Sequence, residues 1–290
     1  MAKPKLKLGF TDYYPTMDEF FIDTLSYQFD IERDDASPDY LIFADETYGE
    51  KNKEYDPTKV VKIFFTGENR RPWNYVAHHA ISFDHMDGNQ FYRLPLYVLD
   101  DWVNTYKHGI RSMFSERPYI PFQDKPDFCG FVASNGICRE RNNAFQMLNA
   151  YKPTKSGGPL FNNIGYLLPR DQPQSKLEFF KTCRFALCYE NSSYPGYCTE
   201  KILHGFISGT VPIYWGSATV ALDFNPKAFI SRHNYVSDEA MMTHINFLEK
   251  HPEEYNKMMK EPIFSDYNHY MSLDNFVDWF RLNVYRGEKE

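Results

Sequence analysis

Short apolar runs alternate along the chain with segments whose apolar residues recur every three to four positions. Runs of the first kind are typical of buried strands, and the second pattern predicts helices with one buried face. The first part of the chain is predicted to contain, in order, a strand at Leu6–Phe10, a helix at Met17–Phe29, strands at residues 39–45 and Val60–Thr66, and a helix through Trp102 to Met113. The second part is predicted to contain strands at Phe128–Ser134, Arg184–Tyr189, Val211–Trp215 and Ala228–Ser231, and helices at Arg139–Tyr151, Lys176–Thr182, between a capping Thr199 and Gly209, and at residues 238–250, 252–260 and 272–284. Such alternation indicates a parallel sheet in each part.

A proline-rich stretch, residues 117–126, separates the two parts and predicts a linker. Because 290 residues usually form one large or two ordinary domains, we expect two Rossmann-like α/β domains, at residues 1–117 and 118–270. We expect residues 271–290 to form a C-terminal helix that packs back on the N-terminal domain. Residues 155–173 have several glycines and prolines and little periodicity, which predicts a loop.

The composition excludes some classes of protein. The chain has a formal net charge of −7, whereas a general nucleic-acid-binding surface would need a basic face. Its five cysteines are an odd number without a C-x2-C pair, which favours reduced thiols in a cytosol and argues against zinc. No signal-peptide pattern and no apolar run of about 20 residues is present. We therefore expect a cytoplasmic protein, and any contact with a membrane surface would be made by parts not in this chain.

The segment from Cys183 to Ser217 carries the most informative polar residues. It predicts a strand, a loop, a helix and a second strand, and ligands of open parallel sheets bind beyond the carboxyl ends of the strands, where this loop lies. Glu200 and Lys201 fall in the first turn of the helix. The unpaired amides there and the charge of Lys201 attract phosphate, while a carboxylate suits sugar hydroxyls. A nucleotide sugar carries both groups, and the alternative is an ordinary helix start with a solvated lysine.

Two arginines and one glutamate are further candidates. The turn at residues 135–141 places Arg139 and Arg141 near a helix N-terminus, where a guanidinium can bind a diphosphate through two hydrogen bonds. Glu68 follows a strand and a glycine, so it lies at the carboxyl edge of the first sheet. That position suits a general base, preferably one whose burial raises its pKa toward neutrality. No spacing argument excludes four competing carboxylates, those of Asp84, Asp87, Asp100 and Asp101.

Five motifs, in this order, resemble those of the α1,3/α1,4-fucosyltransferases. They are FTGEN at residues 65–69, FVASN at 131–135, YENS at 189–192, GYCTEK at 196–201 and VPIYWG at 211–216. The similarity runs from about residue 60 to residue 230. The first 60 residues show none, and we expect the choice of acceptor to depend on them.

The resemblance implies a GT-B architecture, in which two Rossmann-like domains with parallel sheets face each other across a cleft. It implies an inverting transfer of L-fucose from GDP-β-L-fucose to the 3- or 4-hydroxyl of GlcNAc or glucose, in a galactosyl-GlcNAc or lactose-type glycan, which makes Lewis-type structures. Two alternatives remain at this stage, a GT-B enzyme that uses another nucleotide sugar and a non-catalytic glycan- or nucleotide-binding module.

The same resemblance implies roles for individual residues. Six residues match the family's positions: Glu68 as general base, Arg141 and Lys201 on the diphosphate, Glu200 near the ribose and fucose hydroxyls, and Asn191 and Tyr197 at neighbouring positions of the donor site. Arg139 stays an alternative to Arg141, because the spacing after Asn135 differs by one residue. GDP-fucose would be a co-substrate, and neither a cofactor nor a metal is expected. The chain also has no Asp-x-Asp pair that could hold a divalent ion on a diphosphate.

Overall fold

The structure, a computed structural model, describes residues 2–110, 112, 117–266 and 273–287. These residues form two compact units. The first unit contains the chain up to Val103 together with the described residues from Leu273 onward, and the second contains the described residues from Asn104 to Asp266. Each unit is built on a parallel sheet, which confirms the predicted α/β class.

The first unit has a six-stranded sheet in the order β2-β1-β3-β4-β5-β6. Its elements are β1 (Lys5–Thr11), α1 (Met17–Leu25), β2 (Asp30–Arg33), β3 (Tyr40–Phe43), β4 (Val61–Phe65), β5 (His79–Ser82), β6 (Phe91–Arg93) and α2 (Leu96–His108). Every residue of β4 is buried, as expected for a central strand of a parallel sheet. Helix α1 covers the sheet with Phe20 and Phe21, and the Phe21 ring packs edge-on against Phe65 at 5.1 Å.

The second unit has a five-stranded sheet in the order β11-β10-β9-β7-β8. Its elements are β7 (Asp127–Phe131), α3 (Arg139–Tyr151), β8 (Thr154–Ser156), α4 (Pro173–Lys181), β9 (Cys183–Tyr189), α5 (Glu200–Ile207), β10 (Val211–Trp215), β11 (Ile230–Ser231), α6 (Asp238–Lys250) and α7 (Pro252–Lys260). The central strand β9 pairs with both β7 and β10. The residues that follow β9 therefore emerge at the middle of the carboxyl edge of the sheet.

The last helix packs within the first unit. Helix α8 (Leu273–Trp279) continues into a π-helical segment, Phe280–Val284. The ring of Phe276 lies 5.8 Å from that of Phe21, and the ring of Phe280 lies 5.8 Å from that of Phe29. Both Phe276 and Phe280 are fully buried, so this segment completes the hydrophobic core of the first unit. Residues 271, 272 and 288–290 of the predicted C-terminal helix lie outside the described residues.

Several predicted boundaries were wrong. The helix predicted at Met17–Phe29 ends at Leu25. The helix predicted through Trp102 to Met113 begins at Leu96 and ends at His108, before Gly109, whose φ of +63° is typical of a helix end. Met113 lies outside the described residues. Residues 155–173, predicted as a loop, overlap β8 and the start of α4. The strands β2, β5, β6 and β8 were missed because these short segments, unlike the apolar β3, form no apolar run that can be recognised.

Two buried cations tie the proline-rich segment to the second unit, so this segment is not a free linker. Lys125 donates hydrogen bonds to the carbonyls of Lys181 (2.8 Å) and Cys183 (3.1 Å). Arg117 donates to the carbonyls of Thr210 (2.7 Å), Ala228 and Met258. These carbonyls lie at the amino ends of strands and at helix ends, where the backbone otherwise has unpaired acceptors.

The burial of Lys125 makes the stability of the second unit depend on pH. It lowers the pKa of Lys125 to about 8, below the value of 10.5 for an unperturbed lysine. Between these pH values the unfolded chain binds a proton that the folded chain lacks, so the free energy of unfolding rises with pH, by about 3 kcal/mol in total. Urea unfolding at several pH values should therefore show the wild-type protein gaining stability relative to Lys125→Met between about pH 8 and about pH 10.5. A pH-independent difference between the two proteins would contradict this assignment.

Candidate active site

The central strand of the second unit ends in a buried carboxylate. Glu190 directly follows β9, is fully buried, and its N–H donates to the carbonyl of Trp215 in β10 (2.8 Å). A Cβ at position 216 would lie only 2.4 Å from the Cγ of Glu190. Gly216 therefore gives the Glu190 side chain the space to turn inward beside β10.

Glu190 orders the start of helix α5. Its Oε1 accepts the N–H of Thr199 (2.7 Å), and its Oε2 accepts the hydroxyl of Thr199 (2.7 Å) and the ammonium of Lys201 (2.8 Å). Burial alone would lower the pKa of Lys201, but the carboxylates of Glu190 and Glu200 outweigh burial and raise it. Lys201 is therefore a fixed cation at neutral pH, and Glu190 is a site residue that sequence analysis missed.

The prediction that the Thr199 side chain caps helix α5 was wrong. Thr199 occupies the position before α5, but its side chain makes no capping hydrogen bond. Its hydroxyl donates to Glu190 instead and accepts a hydrogen bond from Lys201 (2.8 Å). A charged acceptor forms the stronger hydrogen bond, so the Thr199 hydroxyl donates its hydrogen bond to the buried Glu190 carboxylate. The first-turn amides of α5 are not capped by this side chain.

Arg141 brings a second cation to the same edge. It lies in the first turn of α3, is only 1% exposed, and donates hydrogen bonds to Oδ1 of Asn191 (2.6 Å) and to the carbonyl of Asn135. Its buried Nε–H has no hydrogen-bond partner among the described residues. Arg139, the alternative candidate, is exposed. Arg141 and Lys201 line one crevice at the end of β9, together with Lys176 of α4.

The remaining predicted residues of this unit complete the same cluster. The Glu200 side chain is partly exposed, and its carboxylate lies 3.9 Å from the Lys201 ammonium. Burial would raise the pKa of Glu200, but the charges of Lys201 and Lys176 lower it, so Glu200 is ionised. Tyr197 is buried, and its carbonyl accepts a hydrogen bond from the hydroxyl of Tyr214 (3.2 Å).

A glycine turn fixes the loop that carries these residues. Gly196 has a φ of +84°, which favours glycine, and its N–H donates to the hydroxyls of Ser217 (2.8 Å) and Thr219 (2.9 Å). The Ser193 hydroxyl donates to the carbonyl of Gly216 (2.6 Å). The loop is thus tied to the segment after β10, which holds the cluster in one geometry. Two fixed cations, first-turn helix amides that Thr199 does not cap, and an ionised carboxylate suit a ligand that has both phosphates and hydroxyls.

Glu68 is the one predicted site residue that lies in the first unit. It follows β4 at the carboxyl edge of the first sheet, and its N–H donates to the hydroxyl of Thr66 (3.1 Å). A Cβ at Gly67 would lie 2.5 Å from Leu96, so this turn packs closely on α2. The Glu68 side chain is exposed, which contradicts the expectation of a buried base.

The competing carboxylates differ in their surroundings. Asp84 is buried, accepts hydrogen bonds from Arg71 and from the hydroxyl of Ser82 (2.8 Å), and burial raises its pKa. The Asp84 carboxylate is thus engaged in an ion pair with Arg71. Asp101 is also buried, whereas Asp87 is exposed. Of these groups, Glu68 and Asp87 are the carboxylates most open to an incoming molecule.

The first unit also has an open pocket of about 530 Å³, and Asn69, the residue after Glu68, is part of its lining. The connections from β3 to β4 and from β4 to β5 each contain only a 3-10 turn, at Lys51–Glu54 and Pro72–Asn74, and the pocket lies between them. Its lining combines carboxylates, amides, tyrosine rings and four cations: Glu46, Glu50, Asn52, Asn69, Asn74, Tyr55, Tyr75, Lys53, Lys62, Arg70 and Arg71. Such a lining suits sugar hydroxyls and the apolar faces of sugar rings.

Further features of the described residues concern metal-binding groups, disulfides and helices that could span a membrane. Within them, no three His, Cys, Asp or Glu side chains form a group that could hold a metal ion. All five cysteines are buried and none forms a disulfide. No helix in the described ranges combines the length and the apolar character that crossing a bilayer requires.

Comparison with known proteins identifies the family. Residues 8–100 match the model of the α-(1,3)-fucosyltransferase FucT N-terminal domain, and residues 122–261 match that of the glycosyltransferase family 10 (fucosyltransferase) C-terminal part. The chain belongs to this fucosyltransferase family. The match from residue 8 shows that the prediction of no resemblance in the first 60 residues was wrong. That region has strands and an aromatic helix but no polar motif, so motif reading alone does not recognise it.

Individual proteins that are similar in sequence to this chain are also fucosyltransferases. The α-(1,3)-fucosyltransferase FucT of Helicobacter pylori is 34% identical over 227 residues, which cover 69% of this chain and 46% of that protein. An α-(1,4)-fucosyltransferase of Arabidopsis thaliana is 23% identical over 243 residues, which cover 76% of this chain and 55% of that protein. This chain therefore spans about half the length of these relatives.

Solved structures of α1,3-fucosyltransferases share the fold. One is 27% identical, with a TM-score of 0.80 over 97% of this chain and 91% of that chain. Another, solved with GDP-fucose, is 26% identical, with a TM-score of 0.78 over 100% of this chain and 94% of that chain. The likeness confirms the predicted GT-B fold class for this family member.

Proposed function

We propose that this protein is a fucosyltransferase that transfers L-fucose from GDP-β-L-fucose, with inversion at the anomeric carbon. The acceptor is the 3- or 4-hydroxyl of GlcNAc or glucose in a galactosyl-GlcNAc or lactose-type glycan. The observation that carries the proposal is that two cations, the buried Arg141 and the partly exposed Lys201, line one crevice within the part of the chain that matches family 10. The GDP-fucose complex of a related α1,3-fucosyltransferase supports this choice of donor.

The donor site would use each residue of the cluster for one part of the nucleotide sugar. Arg141 and Lys201 bind the diphosphate, assisted by the first-turn amides of α5. Asn191 positions the Arg141 guanidinium through their 2.6 Å hydrogen bond. Glu200, ionised and partly exposed, accepts hydrogen bonds from ribose or fucose hydroxyls, and Tyr197 forms a wall of the site.

The transfer would be a single displacement. Glu68 takes the proton of the acceptor hydroxyl, whose oxygen attacks the anomeric carbon from the face opposite GDP. The bond from that carbon to the diphosphate oxygen breaks with its electron pair, and GDP leaves. Arg141 and Lys201 stabilise the charge that develops on the diphosphate, so fixed cations supply what a divalent ion supplies elsewhere. The open pocket beside Asn69 supports a glycan-binding role for the first unit.

A transfer assay tests this function. The protein is incubated with GDP-fucose, GDP-mannose or UDP-sugars and with N-acetyllactosamine, its β1,3-linked isomer or lactose, and the products are analysed by mass spectrometry. We expect transfer from GDP-fucose alone, with full activity in EDTA. Transfer from another donor would favour a different glycosyltransferase, and ligand binding without GDP release would favour a non-catalytic module. A strict requirement for Mn²⁺ would contradict the role given to the fixed cations.

A further inference from the structure

The loop between β1 and α1, residues 12–16, is strained. Among the described residues, only three non-glycine residues have positive φ, and two of them, Asp12 (+49°) and Thr16 (+73°), flank this loop. Thr16 precedes α1 but forms no capping hydrogen bond with its side chain. Such strain persists only where the surrounding structure enforces it, and it is concentrated at functional sites. The strained backbone at Thr16 is therefore not explained by capping of helix α1.

The segment after β3 holds this loop in place. The Asp12 carboxylate accepts the backbone N–H groups of Lys51 (3.0 Å) and Asn52 (2.6 Å), and also the Asn52 side-chain amide (2.9 Å). The Asp12 carbonyl accepts the N–H of Ala44 (2.9 Å). A Cβ at Gly49 would lie 2.5 Å from Asp12 Oδ1, so the backbone there closes directly over the carboxylate. The loop is thus fixed from both sides.

The loop presents Tyr14, whose hydroxyl is buried and has no hydrogen-bond partner among the described residues. The ring packs against Tyr48 at 5.4 Å and Phe65 at 5.8 Å. The neighbouring Tyr13 differs, because its hydroxyl accepts a hydrogen bond from Arg33 (3.1 Å). A buried hydroxyl without a partner is costly, so folded proteins rarely keep one without a reason.

Two carboxylates, those of Glu68 and Asp45, act electrostatically on the Tyr14 hydroxyl. Burial is the main cause that raises the pKa of Tyr14, and Tyr48, Glu68 and Asp45 raise it further. Asp45 is buried, and its Oδ1 already accepts the N–H of Thr47 (3.0 Å). Glu68 is exposed and lies three residues after Phe65, against which Tyr14 packs. Phe65 is the last residue of β4, so Tyr14 packs at the strand end from which the segment carrying Glu68 continues.

We propose that Tyr14 is a positioning residue for Glu68, and that its hydroxyl donates a hydrogen bond to one carboxylate oxygen of Glu68 during the reaction. The other oxygen is then held in place to accept the proton of the acceptor hydroxyl. A catalytic base that is oriented by a third group is a recurring arrangement in enzymes. The inference rests on the proposed function, since it gives Glu68 the role of the base.

Two matched variants test this proposal, with GDP-fucose and N-acetyllactosamine or lactose as substrates. Tyr14→Phe removes a buried hydroxyl that makes no hydrogen bond in the resting structure, so we expect a Tm equal to or above that of the wild type, an unchanged KM for GDP-fucose, and a kcat lowered about 10- to 100-fold. Tyr13→Phe removes a hydroxyl that is bonded to Arg33, so we expect a lower Tm and a kcat close to that of the wild type. A purely structural role for Tyr14 would give the opposite pattern.

The double variant separates the possible outcomes. Because Tyr14 acts through Glu68, Tyr14→Phe should cause no further loss of kcat in a Glu68→Gln background. Losses that multiply, or a Tyr14→Phe protein with wild-type kcat, would overturn the inference while the proposed function stands. A wild-type protein that transfers no fucose would overturn the proposed function, and the inference with it.

Discussion

Replacement of Glu68 by Gln is expected to lower kcat by about 10²- to 10⁴-fold while the affinity for GDP-fucose stays unchanged. Glutamine has nearly the same shape as glutamate but cannot accept the proton of the acceptor hydroxyl. Glu68 is exposed, and its backbone N–H, which the substitution keeps, makes the hydrogen bond to Thr66. The fold should therefore be preserved. Steady-state release of GDP gives kcat, and calorimetric titration with GDP-fucose gives the affinity.

Asp87→Asn is the matched control for this variant. Asp87 is an exposed carboxylate of the same unit, so its loss changes the net charge as the loss of Glu68 does, without removing the proposed base. We expect this variant to keep the kcat of the wild type. Asp84→Asn is a poorer control, because it also disturbs the buried pair with Arg71. A fully active Glu68→Gln protein would move the role of base to Asp84 or Asp87.

Replacement of Lys201 by Met is expected to weaken GDP binding by about 10- to 100-fold, the range for a hydrogen bond to a charged group. The single variant also leaves Glu190 as a buried carboxylate without its cation, which destabilises a protein by about 3–5 kcal/mol. Loss of GDP binding by this variant alone would therefore be ambiguous. Thermal unfolding, measured beside the calorimetric titration with GDP, separates the two effects.

The double variant Glu190→Gln/Lys201→Met resolves this ambiguity. It removes both charges of the buried pair, so most of the lost stability should return, while GDP affinity should stay low because the cation is absent. Glu190→Gln alone keeps the Lys201 ammonium and serves as the control that should still bind GDP. A double variant that binds GDP as tightly as the wild type would show that Lys201 does not bind the diphosphate.

The elements around the proposed donor site could be predicted closely from the sequence. Strand β10 has the predicted bounds, and β9 differs by one residue, since both are long apolar runs limited by turn residues. The end of α5 before Gly209 was predicted from the glycine, which has a φ of +63°. The short strands β2 and β6 were not predicted, because three or four partly exposed residues give neither an apolar run nor an alternation that can be recognised.

The site was predictable where topology alone brings residues together. Residues after β9 and at the start of α5 must meet at the carboxyl edge of the sheet, which is why Asn191, Glu200 and Lys201 could be named. Arg139 and Arg141 are two positions apart on a helix, so they point in nearly opposite directions, and only the packing of α3 shows that Arg141 faces the cluster.

The residues that were missed depend on properties that sequence does not display. Glu190 stands in a matching motif, but its complete burial and the three hydrogen bonds that its carboxylate accepts from Thr199 and Lys201 are tertiary facts. The same burial redirects the Thr199 hydroxyl away from the helix amides. Tyr14 could not be recognised either, because backbone strain and an unpaired hydroxyl are visible only in three dimensions.

The most direct test of the central claim is a crystal structure of the protein with GDP. We expect diphosphate oxygens within about 3 Å of the Lys201 ammonium and of the Arg141 guanidinium, with hydroxyls of the nucleotide near Glu200. GDP bound elsewhere, with Arg141 and Lys201 paired only to Asn191 and Glu190, would contradict that claim.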